Sequence, residues 1–406
     1  MGELAKESIS FLTKPSLDTN GAKLGSLGAV FIMLKSALGA GLLIFPWAFE
    51  KAGGIHLAVT VEMISLVFLI SGLVILGYSS SISGQNTYQA VVRDVCGPAI
   101  GNLCEICYVF NLFFISVAFL VIVADQLQKL CVSIYELITG LPESEMLYYW
   151  YTDHRFALFL LCLFFIFPLS LPKEISIQKY TRVSSWASMF SVIPTICFGF
   201  QFHEACIAVY SSMENRKLSH WVFISVISMF ICLIIYSLTG VSGYLTFGKN
   251  VAPDILMSYS GSDVTMIVAR LLFGISIITI YPIIILLGRS VIQDPLLRRR
   301  HKHTAVTESY ESRTRVALTT VWVTITLLIA VVVPDISKVI SVVGGVGAFF
   351  IFIFPGLCLV FVVQSESISL AMRYLLITWG MITLFCGTYI FGQSTSIAIM
   401  QLLSDT

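Results

Sequence analysis

Charge is what this chain has least of. Only 12% of its 406 residues are charged, about half the roughly 25% carried by a soluble domain. Hydrophobic residues make up 57% of it, and its mean hydropathy is +0.90. Soluble classes are thereby excluded, and a membrane protein is expected. A net charge of +1 offers no basic surface to a phosphate backbone, so no nucleic-acid partner is expected. No N-x-[ST] sequon occurs, and the polar residues 1–24 hold no cleavable signal peptide. The ten cysteines form no zinc pattern. Nearly all lie in apolar runs, and Cys104 and Cys107 sit one helical turn apart as small packing thiols. Gly243-x4-Gly248-Lys249 imitates a phosphate loop, but Asn250 replaces the required hydroxyl and an apolar helix precedes it. No nucleophile–base pair marks an enzyme, and no filter sequence marks a channel.

What the chain has is long apolar stretches. A crossing needs about 20 residues, and ten stretches qualify: 25–48, 54–78, 101–127, 155–171, 185–210, 219–245, 264–288, 315–333, 338–363 and 371–393. They form one transmembrane domain over 25–393, between an N-terminal tail (1–24, expected to be cytoplasmic) and a short C-terminal tail (394–406). Two stretches are built to break. The first contains Lys35-Ser36-Ala37-Leu38-Gly39-Ala40-Gly41, then Pro46; the second contains Pro194, then Gly199-Phe200-Gln201-Phe202-His203-Glu204. Glycine weakens helical backbone and proline removes a donor. Within hydrocarbon, such freed groups must face protein or a watery cavity. Interrupted helices at corresponding places in two halves of a chain point to a transport site near the bilayer midplane.

The loops carry a contradiction. Cytoplasmic loops should hold the Lys and Arg excess. Basic residues cluster in the tail (Lys6, Lys14, Lys23), after the fourth stretch (Lys173, Lys179, Arg182) and after the seventh (Arg289, Arg298, Arg299, Arg300, Lys302, Arg313, Arg315). With ten crossings the last two clusters fall on opposite sides. One more crossing between Thr181 and Ser185 would place every basic loop together. The remaining explanations are a violated charge bias or a half-inserted helix.

Gly39-Ala40-Gly41 with Phe45-Pro46, Pro194 to Gln201 followed by His203-Glu204, and Gly344-Gly345 through Phe354-Pro355-Gly356 together resemble the sodium-coupled neutral amino acid transporters of the amino acid/auxin permease group. The resemblance covers almost the whole chain. It implies an all-α polytopic membrane protein with a LeuT-like inverted-repeat fold, in which relatives carry a fifth helix between the Gln178-Lys179-Tyr180-Thr181 and Ser185-Trp186 motifs. Here only Arg182, Val183 and Ser184 stand between them, so the first repeat would be incomplete, as in an alternative splice product. The expected function is secondary active transport of neutral amino acids, glutamine among them. The alternative is a non-transporting variant that is degraded or acts as an interaction partner.

A zwitterion needs donors for its carboxylate and acceptors for its ammonium, and a broken helix supplies both. Ser36, Leu38, Gly39, Ala40 and Gly41 are candidates for one wall of the substrate site; the glycines also suit tight helix packing. The resemblance assigns Phe198, Gly199 and Gln201 to the opposite wall, and Na+ contacts to Ala37 and Thr279, with Ser276 nearby. Lys35 stands where many family members carry an asparagine linked to sodium binding. A charge there costs roughly 2.5–3.5 kcal/mol, so it reads either as an ion-coupling group, with proton coupling in view, or as a lysine that snorkels or pairs with Glu62 or Asp125. His203 and Glu204 are candidate gating groups, or a capped pair at a bend. No cofactor is expected beyond Na+ or H+ as coupling ion. The partners expected are the amino acid and the lipid bilayer, in the plasma membrane or alternatively the lysosomal one; protein partners leave no mark in the sequence.

Overall fold

The structure is a computed structural model that describes residues 24–37, 41–139, 154–162, 166, 186–252, 254–259, 263–301, 308–333 and 336–403. Among these the secondary structure is helical, apart from one bridge between Leu24 and Met213. Seven helices are long and apolar enough to cross a membrane: Ile55–Ser83, Pro98–Glu136, Leu218–Asn250, Val264–Gln293, Ser312–Val332, Val339–Ser365 and Leu370–Met400. The two stretches read as interrupted are absent from that set: the second is divided at Phe200–Phe202, and in the first residues 38–40 lie outside the described residues. α1 (Ser26–Ala37) is followed by α2 (Gly41–Lys51), and α7 (Trp186–Gly199) by α8 (His203–Ser212).

α3 (Ile55–Ser83) begins after Gly54 and ends at Gly84. Gly84 has φ 66° and returns its N–H to the Ser80 carbonyl at 2.9 Å, a left-handed stop that glycine adopts without steric cost. α4 (Tyr88–Cys96) is short and amphipathic; the Thr87 hydroxyl accepts from the Ala90 N–H, and Tyr88, Val91 and Val92 are buried. Arg93 ties it to the next helix by donating to Asn102 at 2.7 Å and pairing with Glu105 at 3.0 Å. There follow α5 (Pro98–Thr139) and α6 (His154–Leu161), then beyond the second break α9 (Leu218–Phe247), the single turn α10 (Ile255–Ser258), α11 (Val264–His301) and α12 (Glu308–Val332). α13 (Ile336–Ala348) passes through a π-helical stretch, Phe349–Ile353, into α14 (Phe354–Ser365), and α15 (Leu370–Leu403) closes the chain.

Two groups of helices emerge. α1/α2, α3, α7/α8 and α9 pack on one another as a bundle; α5, α6, α11 and α12 form a second group around α5. α13 lies between them, against α7 on one side and α5 on the other, and α15 packs along α13 and α14. Lipid gives apolar faces no reason to associate, so close approach falls to small residues. A Cβ on Gly240 would come 2.6 Å from the Phe49 ring, and one on Gly243 would come 2.5 Å from the Pro46 ring. Gly243 thus lies in a helix, seating α9 on α2, and has no part in a phosphate loop.

The crossing suspected from the loop charges to be missing between Thr181 and Ser185 falls outside the described residues.

Candidate substrate and ion site at the helix breaks

The second break is fully described. α7 carries Pro194, which has no N–H to donate, and ends at Gly199. Phe200, Gln201 and Phe202 follow outside regular helix, held by Gln201 N–H to Phe198 O (3.3 Å) and Phe202 N–H to Phe200 O (2.8 Å). The Gly199 carbonyl is freed from the ladder and accepts instead from the Tyr236 hydroxyl of α9 at 2.8 Å. Two fully buried rings, Phe200 and Phe202, anchor the unwound backbone. Phe200 packs edge-on against Tyr236 (centroids 4.8 Å apart) and Phe45 (6.0 Å), while Phe45 stacks on Tyr236 at 4.2 Å. Since Phe45 belongs to α2, that helix meets the break between α7 and α8. The opening N–H groups of α8 and closing carbonyls of α7 carry the partial charges of helix ends, which suit a carboxylate and an ammonium respectively.

A polar cluster lies just beyond the break. Glu204, in the first turn of α8, accepts through Oε1 from Gln201 Nε2 at 2.9 Å and from Asn111 Nδ2 of α5 at 2.5 Å. His203 is fully buried and its Nε2–H donates to the Leu69 carbonyl of α3 at 2.9 Å. Further out, Glu62 of α3 accepts from the Ser237 hydroxyl at 2.6 Å while its Oε1 is buried without a hydrogen-bond partner. On α11, the buried Arg270 donates to the carbonyls of Leu256 and Tyr259 at 2.9 and 3.0 Å. Asp254 caps that same turn through the Leu256 N–H and accepts from Gln126 of α5. The segment around α10 is therefore fastened to α5 and α11.

Phe198, Gly199, Gln201, His203 and Glu204 are thus gathered at one break. Lys35, Ser36 and Ala37 form the last turn of α1, and Gly41 opens α2; their side-chain surroundings are not described. Leu38, Gly39 and Ala40 lie outside the described residues. Ser276 and Thr279 are in the middle of α11, with backbone alone described. Sequence reasoning missed Asn111, Tyr236, Tyr88 and Arg270. A polar or charged residue inside an apolar span is a functional signal by default; applied systematically, that rule would have found Asn111 and Arg270.

A bundle holding a broken helix against a second helix group defines a multi-pass membrane transporter of LeuT-like fold. The solved structure of MhsT in complex with L-phenylalanine overlays on 91% of this chain and 98% of its own with a TM-score of 0.53, at 12% identity. The profile described as "Transmembrane amino acid transporter protein" matches residues 22–185 and 173–400, and the chain belongs to that family. A Xenopus tropicalis relative described as "Putative sodium-coupled neutral amino acid transporter 8" is 57% identical over 438 aligned positions, covering 100% of both chains. Human "Solute carrier family 38 member 8" is 50% identical, covering 96% of this chain and 97% of its own. "Sodium-coupled neutral amino acid transporter 7" of Danio rerio is 40% identical over 98% of this chain and 92% of its own.

Proposed function

We propose that this chain is a sodium-coupled secondary carrier of neutral amino acids, of broad range with glutamine among its substrates, residing in the plasma membrane. The observation that carries the reading is the unwound Phe200–Phe202 segment, against which α2 packs through Phe45. The two helix termini receive the zwitterion; Ser36, Leu38, Gly39, Ala40 and Gly41 line one wall, and Phe198, Gly199 and Gln201 the other. Ala37 and Thr279 contact the coupling ion, with Ser276 beside them and Lys35 setting the local charge. The grouping of α1/α2, α3, α7/α8 and α9 apart from α5, α6, α11 and α12 supports transport by rocking one group against the other. The relatives' names support the substrate class and the ion. The test is uptake of radiolabelled glutamine into cells expressing this chain, with Na+ replaced by choline and other amino acids as competitors. Na+-dependent uptake inhibited by small neutral amino acids is expected. Uptake indifferent to Na+ and to those competitors would refute the reading, and surface labelling would separate plasma membrane from lysosome.

A second reading rests on the loop charges alone: if a crossing is missing between Thr181 and Ser185, this form would be a non-transporting variant that is degraded or acts as an interaction partner. Epitope tags at residues 176 and 305 decide it. Both tags inside the cell would keep the two halves in the relatives' orientation; tags on opposite sides would leave the second half inverted and the chain inactive.

A further inference from the structure

We propose that Arg289 of α11 and Arg315 of α12, with the hydroxyls of Ser312 and Thr319, form a binding site for a phosphate monoester. Arg289 follows directly on Gly288, where the two helices approach closely: a Cβ on Gly288 would stand 2.4 Å from the Trp322 ring. The Trp322 indole is itself fixed, donating to the Ser116 hydroxyl of α5 at 3.1 Å. Beside this contact Arg289 is only 3% exposed, and its Nη1 donates to the Thr319 hydroxyl at 2.9 Å. Thr319 and Arg315 lie one turn apart on α12, so the two guanidiniums are set over the same turn, near enough to repel each other. Arg315 donates through Nη2 to the Ser312 hydroxyl at 3.4 Å, and its Nε is buried with no hydrogen-bond partner.

As glue between helices this pair is poorly chosen. Two like charges set together push α11 and α12 apart, and a buried charge is costly unless an opposite one meets it. The two ion pairs among the described residues, Lys51–Glu50 and Arg93–Glu105, include neither Arg289 nor Arg315. A phosphate monoester supplies close to two negative charges at neutral pH and three acceptor oxygens. Guanidinium forks match it, since each offers parallel N–H donors to two oxygens. The place suits a lipid headgroup. The apolar part of α11 ends at Leu287 and that of α12 begins at Val316, which is 41% exposed, so the pair stands where hydrocarbon gives way to headgroups. Beyond it α11 runs on through Arg298, Arg299 and Arg300 to His301, a basic extension that concentrates anionic lipid at this end of the helices.

The inference does not rest on the transport reading, and its test is binding to the full chain purified in detergent without phosphate. Its thermal stability is followed as short-chain phosphatidylinositol phosphate, short-chain phosphatidylcholine or inorganic phosphate is added. Saturable stabilisation by the phosphoinositide, and none by phosphatidylcholine, is expected. An equal response to inorganic phosphate would assign the same site to the free anion. Arg315→Gln should weaken the phosphoinositide affinity roughly 10–100-fold, the worth of a hydrogen bond to a charged group. Arg289→Gln should do the same; should it fail to fold, the half-buried Arg315 decides. Arg313→Gln removes an equal charge from an exposed position on another side of α12 and should leave the affinity unchanged. The proposal is overturned if a folded Arg315→Gln protein keeps the wild-type affinity, or if Arg313→Gln weakens binding as much. It is overturned too if neither phosphate ligand stabilises the wild type, as when Asp294 or Glu311, the nearest acidic residues in sequence, already neutralises the pair.

Discussion

Gly344 separates packing that is required from packing that is incidental. It lies in α13, and a Cβ there would meet the Pro194 carbonyl oxygen at 2.4 Å, the Pro194 Cβ at 2.6 Å and its carbonyl carbon at 2.7 Å. Two of these three atoms are backbone and the third belongs to a ring fixed to it, so no side chain can rotate away. Gly344→Ala must push α7 off α13, the helix that also packs on α5. Overpacking of this kind costs about 3 kcal/mol at the upper end of its range. Replacing glycine within a helix returns about 1 kcal/mol. The net loss is about 2 kcal/mol, or roughly 2 °C in melting temperature for a chain of this size. Gly274 and Gly392 are also helical, with nothing within 4 Å of an added Cβ. There the same change should keep the helix gain alone and raise the melting temperature by roughly 1 °C. Heating detergent-solubilised fluorescent fusions and reading the surviving monodisperse peak measures all three. A Gly344→Ala protein that melts at or above the wild type would refute the packing argument.

Three further outcomes follow from the same geometry. Tyr236→Phe keeps the stacked ring but leaves the Gly199 carbonyl unpaired at the break, a loss of about 1–3 kcal/mol; glutamine uptake should fall severalfold at unchanged surface expression, and undiminished uptake would count against the site. Tyr88→Phe removes the bond to the Phe350 carbonyl (2.9 Å) within the π-helical stretch, and should cost about 1 kcal/mol in a thermal-melt assay. Arg270→Gln frees the carbonyls of Leu256 and Tyr259, so a cysteine placed at Tyr259 should react faster with a polar thiol reagent; an unchanged rate would mean that Arg270 is not what fastens this segment.

The break after Gly199 could be read from sequence because its causes are local. Pro194 and Gly199 weaken the helix where they stand, and the described break begins immediately after Gly199. The helical class was equally legible, from apolar stretches of crossing length. What could not be read was which distant groups would satisfy the freed backbone. Tyr236 reaches Gly199 across 37 residues, Asn111 reaches Glu204 across 93, and Tyr88 reaches Phe350 across 262. No local propensity encodes such pairings. Hydropathy also misses what lies outside the hydrocarbon. α4 is too short and too polar to register as a span, and α11 continues to His301, well past the apolar stretch 264–288, because charged residues sustain a helix once water is reached. Glu204 was singled out as a gating candidate, but its partner Asn111 was not: polarity inside an apolar run marks the residue, and only the fold shows its pairing with Glu204.

If this chain alone moves a neutral amino acid by exposing one site alternately to each side, it will show counterflow in proteoliposomes. Vesicles containing only this chain are loaded with unlabelled glutamine and diluted into a trace of labelled glutamine with Na+ on both sides. A carrier exchanges the two, so label should accumulate transiently above its equilibrium level. Label that equilibrates without overshoot, or does not enter at all in vesicles shown to hold folded protein, would contradict it.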